Sequence, residues 1–168
     1  NIHYWEIWNE PDLDTDDVPA DKKRTWSGTA AQFYEFFEVV ATYLKARFPA
    51  LKIGGPALAS KTGEWTDGFL AHMTANGKRV PLDFFSWHCY TNIGPKMILA
   101  CEKHCRKVLH NYGFDHVPDF LNEWNAERVA SINRSLPRTA ANTFGVIIGS
   151  QKNEVAMLNY YDAGLGAS

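Results

Sequence analysis

The sequence predicts an α/β protein in which helices cover a parallel sheet. Three observations carry that expectation. Five short apolar segments are rich in β-branched and aromatic residues, four amphipathic segments lie between them, and the two kinds alternate strictly. Alternation with crossovers of this length implies that neighbouring strands run parallel, each return path being a helix packed on the sheet.

The first strand is expected over residues 2–8. A polar stretch over residues 12–27, broken by Asp and Pro, reads as a loop. Thr29-Ala30-Ala31-Gln32 has capping-box spacing, in which the Thr and Gln side chains satisfy two free backbone N–H groups at a helix start. Behind it Phe33, Phe36, Phe37, Val40, Leu44 and Phe48 follow the three-four spacing of one helical face, and Pro49 ends the helix. Lys52-Ile53-Gly54-Gly55-Pro56 reads as a short strand stopped by its glycines. A second helix carries Trp65, Phe69, Leu70 and Met73 and ends near Asn76-Gly77. The unit then repeats with a strand over 82–90 and a helix over 95–112 that has Pro95 in its first turn. A strand over 119–124, a helix over 138–151 and a last strand over 155–161 complete the series.

Composition excludes several classes. The 168 residues are material for one domain, and 45% hydrophobic with 21% charged residues is a globular balance rather than a disordered one. No apolar run approaches the roughly 18 residues of a membrane span. Net charge is −2 with scattered basic residues, so neither nucleic acid nor a membrane is expected as partner. Six Trp and seven Tyr suit either an aromatic core or a surface that stacks on the flat faces of sugars. The cysteines Cys89, Cys101 and Cys105 form no disulfide framework. Cys101 and Cys105 share a helical face beside His104, where they are read as buried apolar groups in preference to metal ligands. The Asp12, Asp14, Asp16 run lacks the Gly and distal Glu of a calcium loop and reads as solvated. Asn133-Arg134-Ser135 matches a glycosylation sequon.

Two architectures fit the alternation, an open doubly wound sheet and a closed barrel. Gly54-Gly55 lacks the third glycine of a dinucleotide fingerprint, which weakens the open nucleotide-binding version. In both, function sits at the C-terminal ends of strands. There the sequence places Trp8-Asn9-Glu10-Pro11, Trp87-His88-Cys89-Tyr90 and Asn122-Glu123-Trp124-Asn125. Either Glu taken alone could be a structural, ion-paired carboxylate. Two of them in Asn-Glu context, with a His and a Tyr between, match the needs of glycoside hydrolysis. That reaction requires one carboxyl to protonate the leaving oxygen and another to face the anomeric carbon.

Trp8-Asn9-Glu10-Pro11 resembles the acid/base motif at the end of strand four in clan A glycoside hydrolases. The fuller match is to glycoside hydrolase family 39, which includes β-xylosidases and α-L-iduronidase. Five motifs resemble that family in order: Asn9-Glu10-Pro11-Asp12, the Phe/Tyr-rich helix over 33–44, Ile53-Gly54-Gly55-Pro56-Ala57, Leu82-Asp83-Phe84-Phe85-Ser86 with His88 and Tyr90, and Glu123-Trp124-Asn125. The resemblance implies a partial (β/α)8 TIM barrel, strands four to eight with intervening helices, and residues 1–168 as the C-terminal portion of one catalytic domain that lacks strands one to three. It implies Glu10 as acid/base and Glu123 as nucleophile of a retaining, β-xylosidase-like exo-hydrolase. Asn9 would contact the sugar 2-hydroxyl, and His88 and Tyr90 would line the subsite and hold Glu123. Trp8, Asn125 and Tyr160 complete the expected substrate-binding set. Tyr160-Tyr161 stands where the family usually carries a Trp. A carbohydrate is the expected partner, with no cofactor and no metal. An endo-acting glycanase of the same clan, a non-catalytic carbohydrate-binding barrel and a metal-dependent hydrolase are the other readings.

Overall fold

The structure, a computed structural model, describes residues 2–59, 63–91, 94–125 and 137–161. Five parallel strands stand side by side in chain order: β1 (Tyr4–Glu6), β2 (Lys52–Leu58), β3 (Phe84–Tyr90), β4 (Asp119–Asn125) and β5 (Met157–Tyr160). Helices α1 (Ala30–Arg47), α2 (Glu64–Thr74), α3 (Pro95–Asn111) and α4 (Pro137–Lys152) connect them. A doubly wound sheet reverses its strand order at a switch point. This one never does, and it curls so far that Asn122 of β4 donates to Glu6 of β1 at 2.8 Å across two intervening strands. The fold is half of a (β/α)8 barrel, as the sequence predicted.

Local rules account for most element ends. The capping box at Thr29 and Gln32 forms with both reciprocal hydrogen bonds, and α1 stops at Arg47, just ahead of Pro49. The first strand is shorter than expected because Trp8 takes a left-handed φ of 72°, which ends the extended run. The expectation that the glycines stop β2 is corrected: Gly54 and Gly55 lie inside it. A Cβ on Gly54 would stand 2.3 Å from the Phe84 carbonyl oxygen, so glycine is what lets the two strands approach.

The outer face of the sheet and the helices enclose the core, centred on Phe33, Phe37, Phe69, Phe85, Trp87 and Leu121. The inner, concave face is layered. Phe84 and Phe120 stack at 4.7 Å, with Tyr4 edge-on to Phe84 at 5.8 Å and tilted against Phe120 at 5.7 Å. Above that apolar floor comes a polar layer of Glu6, Ser86 and Asn122, and above it the strand ends. Apolar side chains are left exposed at both flanks of the half barrel, Tyr4, Trp5, Val39 and Tyr43 on β1 and α1, Phe144 and Ile148 on α4.

Cys101 and Cys105 are buried on α3, packed in the core as read. The three aspartates of the loop are spent separately. Asp12 accepts from the Ala59 N–H at 2.8 Å, Asp14 pairs with Arg24 at 2.7 Å, and Asp16 lies 3.6 Å from Lys23. The Asn133 sequon falls outside the described residues.

Candidate active site

Glu10 reaches the rim through backbone that an L-residue rarely adopts. Trp8 and Glu10 have φ of 72° and 46°, and the following turn is held by neighbours. The Glu10 N–H donates to the Ala57 carbonyl at 2.9 Å, and the Glu10 carbonyl accepts from the Thr25 hydroxyl. Left-handed backbone costs roughly 1–2 kcal/mol per non-glycine residue, and such strain persists where surrounding bonds over-determine it.

Glu123 reaches the same rim by a different device. Leu121 pairs with Trp87 and Glu123 with His88, so two steps along β4 answer one along β3. On the other side Leu121 pairs with Leu158 and Trp124 with Tyr160, three steps answering two. Both neighbours therefore report one extra residue in β4, a bulge at Asn122–Glu123. Strand side chains normally alternate between faces. Across the bulge two consecutive side chains share the inner face, Asn122 bonding to Glu6 and Glu123 to Tyr90. A second bulge in β2, between Gly55 and Leu58, carries Ala57, the residue that holds the Glu10 N–H.

The two carboxylates and one histidine meet there. Oxygen atoms of Glu10 and Glu123 and a ring nitrogen of His88 all lie within 4.8 Å of one another. His88 Nδ1 is 2.8 Å from Glu10 Oε1 and 3.7 Å from Glu123 Oε2. The expectation that His88 holds Glu123 is thus modified, because the ring hydrogen-bonds to Glu10 and only faces Glu123. Tyr90 does donate to Glu123. Burial, reinforced by that bond and the Glu123 charge, pushes the Tyr90 hydroxyl well above its ordinary pKa, so it keeps its proton as a donor. Glu10 and Glu123 are partly buried, while His88 is almost fully enclosed.

The remaining expected residues are placed unevenly around this ring. Asn9 is exposed next to Glu10. Trp8 packs against Trp26 and Phe36 at 5.4 and 5.8 Å and donates to the Thr25 carbonyl, on the α1 side of the rim. Asn125 is buried and braces the ends of β4 and β5, accepting from the Tyr160 hydroxyl and donating to the Tyr161 carbonyl, both at 3.1 Å. Tyr160 is thereby turned to Asn125 and edge-on to Trp124 at 5.0 Å. Sequence reasoning missed Tyr161, whose half-exposed ring meets Tyr90 edge-on at 6.0 Å, and it missed Glu6 with Ser86 below the ring. The signal for Glu6 was present as a charged residue in phase with Tyr4 on an apolar strand.

Among the described residues, Glu10, His88 and Glu123 are the grouping of His, Cys, Asp and Glu close enough to hold a metal ion. The His88 bond to Glu10 and the Tyr90 bond to Glu123 already engage the donors that a cation would need. A carboxylate pair with a proton-bearing ring and a phenol between strands has acid–base and nucleophilic capacity without an ion.

The sequence profile of the glycosyl hydrolases family 39 matches residues 2–161. The chain belongs to this family. A β-xylosidase from Geobacillus stearothermophilus is 30% identical over 138 residues, an alignment that spans 72% of this chain and 25% of that relative. Among solved structures, a glucosidase from Croceicoccus marinus superposes with a TM-score of 0.75 at 29% identity, over 94% of this chain and 32% of its own. A monomeric β-xylosidase from Caulobacter crescentus CB15 superposes with a TM-score of 0.69 at 25% identity, over 93% of this chain and 32% of its own. The chain thus spans about a quarter to a third of the length of these relatives. The glycoside hydrolase class and the partial barrel expected from the sequence agree with that membership.

Proposed function

We propose that this chain is the second part of a family 39 catalytic barrel, carrying strands four to eight, and that the complete barrel is a retaining exo-acting glycosidase on β-xylosides. The observation that carries the mechanism is the closeness of Glu10 and Glu123, oxygen to oxygen within 4.8 Å. Retaining enzymes hold their carboxyl groups about 5–5.5 Å apart, whereas inverting ones leave about 6.5–9.5 Å for a water molecule. The short separation favours double displacement.

In that reading Glu123, oriented by the Tyr90 hydroxyl, attacks the anomeric carbon and forms a glycosyl ester as the exocyclic C–O bond breaks. Glu10 gives its proton to the departing oxygen, then takes one from the water that hydrolyses the ester. His88, hydrogen-bonded to Glu10 and facing Glu123, keeps the two groups in register. Asn9 and Tyr161, exposed at the rim, are placed to meet sugar hydroxyls and a ring face. The xyloside assignment rests on the β-xylosidase relatives, and the glucosidase neighbour makes a β-glucoside the other substrate to assay.

The test uses the complete enzyme and an aryl β-xyloside. Glu123→Ala is expected to lower kcat roughly 10⁴-fold or more. Glu10→Ala should lower turnover strongly for a poor leaving group and far less for a dinitrophenyl one, which departs without a proton. NMR of the first product should show the β-anomer. An initial α-anomer, or an unaffected Glu123→Ala variant, would end the proposal.

A further inference from the structure

Below the rim lies a carboxylate that the mechanism above does not use. Glu6 sits on the inner face of β1, where a completed Tyr4–Phe84–Phe120 pattern would call for another apolar side chain. Instead both of its oxygens take hydrogen bonds from the Asn122 amide, at 2.8 and 3.0 Å. The Ser86 hydroxyl lies close enough to favour its charged form. Crowding by protein in the concavity raises the Glu6 pKa and the nearby Glu123 charge adds to the rise, against the two hydrogen bonds and His88, which lower it. Glu6 keeps contact with solvent in the concavity, so its place is set by these side-chain bonds and not by packing.

The partners of Glu6 say what it holds. Asn122 is the extra residue of the β4 bulge, the irregularity that turns Glu123 inward. A bulge gives up ladder hydrogen bonds, so side-chain bonds must define its shape. Ser86, the other partner, accepts from the Ala57 N–H at 2.9 Å, and the Ala57 carbonyl in turn accepts from the Glu10 N–H at 2.9 Å. One carboxylate therefore touches both irregularities from which the rim pair is presented. We propose that Glu6 is a positioning residue that, through its bonds from Asn122 and its closeness to Ser86, braces the two bulges and fixes the aim of Glu123 at Glu10. The inference rests on Glu123 being the nucleophile.

The aim of a nucleophile can be read apart from acid catalysis. A dinitrophenyl 2-deoxy-2-fluoro-β-xyloside needs no proton on its leaving group and traps the covalent ester, so its labelling rate in the complete enzyme reports Glu123 alone. Asn122→Ala removes the donor. Glu6→Gln keeps the shape of the side chain but puts an NH2 where one acceptor stood. Each variant should slow labelling on the order of 10- to 100-fold, as displacements of about an ångström do. The inhibitor concentration giving the half-maximal rate should stay within about threefold, because the binding groups of the rim are untouched. The double variant should lose no more than the worse single one, since both substitutions break the same bond. Should Glu6→Gln fail to fold, Asn122→Ala truncates a half-buried side chain and reads the same contact. Labelling of Glu123 at the normal rate in Asn122→Ala, or losses that multiply in the double variant, would falsify the brace while leaving the nucleophile assignment intact. A label on some other residue of the unsubstituted enzyme would overturn the nucleophile assignment and, with it, this inference.

Discussion

The two ends of the sheet treat carboxylates in opposite ways. At the N-terminal ends of the strands Asp83 meets Lys45 at 2.6 Å and Lys52 at 3.8 Å, and Asp119 lies 3.5 Å from Arg106. Around them the backbone is regular, and Lys45 also caps the Leu51 carbonyl at 2.7 Å. At the C-terminal ends, among the described residues, Glu10 and Glu123 share His88 as their ion-pair partner and no Lys or Arg lies within ion-pairing distance of either. There the backbone departs from regularity, with left-handed residues at Trp8, Glu10 and Ala57 and bulges in β2 and β4. Charge compensated on regular backbone stabilises a fold. Carboxyl groups left facing one another on strained backbone are what two-carboxylate chemistry requires, and barrels segregate the two arrangements to opposite ends.

That contrast can be broken by substitution at either end. The largest effect is expected at the rim, where Tyr90→Phe removes the donor to Glu123. A hydrogen bond to a charged group is worth about 1.5–3 kcal/mol, so kcat/KM of the complete enzyme should fall roughly 10- to 100-fold while its melting temperature barely moves. A variant that melted early but turned over normally would make the rim a structural site like the base. At the base, Asp83→Asn should cost about 1–2 kcal/mol of stability, discounted for partial exposure, and leave kcat/KM unchanged. Burial works to raise the Asp83 pKa, but its bonds from Lys45 and the Ile53 N–H prevail and hold it below the ordinary value. A lowered folded pKa means stability that is present above the unfolded value and lost as pH falls through the folded one. Acid melting of the native protein should therefore steepen in that range and that of Asp83→Asn should not, a difference that pH-dependent thermal scans would detect.

The smallest effect sharpens the comparison with a third carboxylate. Glu102 is fully buried between α3 and α4; among the described residues it meets no cation and is bonded to Ser150 and, at 2.7 Å, to Asn153. Burial raises its pKa despite those bonds. Here the sign is reversed, and the stabilising neutral form is lost as pH rises through the folded value. Glu102→Gln should flatten the decline in stability above the ordinary carboxylate range, without altering turnover. A loss of turnover would show that lacking a cation, and not lying on the rim, marks the functional carboxylates.

Much of this was legible in the sequence because it rests on local rules. Periodicity gave the five strands and four helices, the Thr29–Gln32 capping box appeared as written, and Pro49 followed the end of α1. The Asn-Glu strand ends located Glu10 and Glu123, which do meet. What escaped was set by contacts distant in sequence. The Glu6–Asn122 bond spans 116 positions, and the choice of His88 for Glu10 over Glu123 depends on how far the sheet curls. The glycines misled because chain-breaking propensity was weighed without the Phe84 backbone that crowds Gly54.

The bulge of β4 divides that strand into two halves of opposite parity. Below it odd-numbered Leu121 faces the helices, while above it odd-numbered Glu123 faces the cavity and even-numbered Trp124 takes over the outward place. One inserted residue thus lets a single strand obey the packing demand of the core at its base and the chemical demand of the cavity at its tip. Straightening the bulge without changing the sequence would restore strict alternation and exchange the destinations above it, sending a carboxylate among the helices and an indole into the cavity.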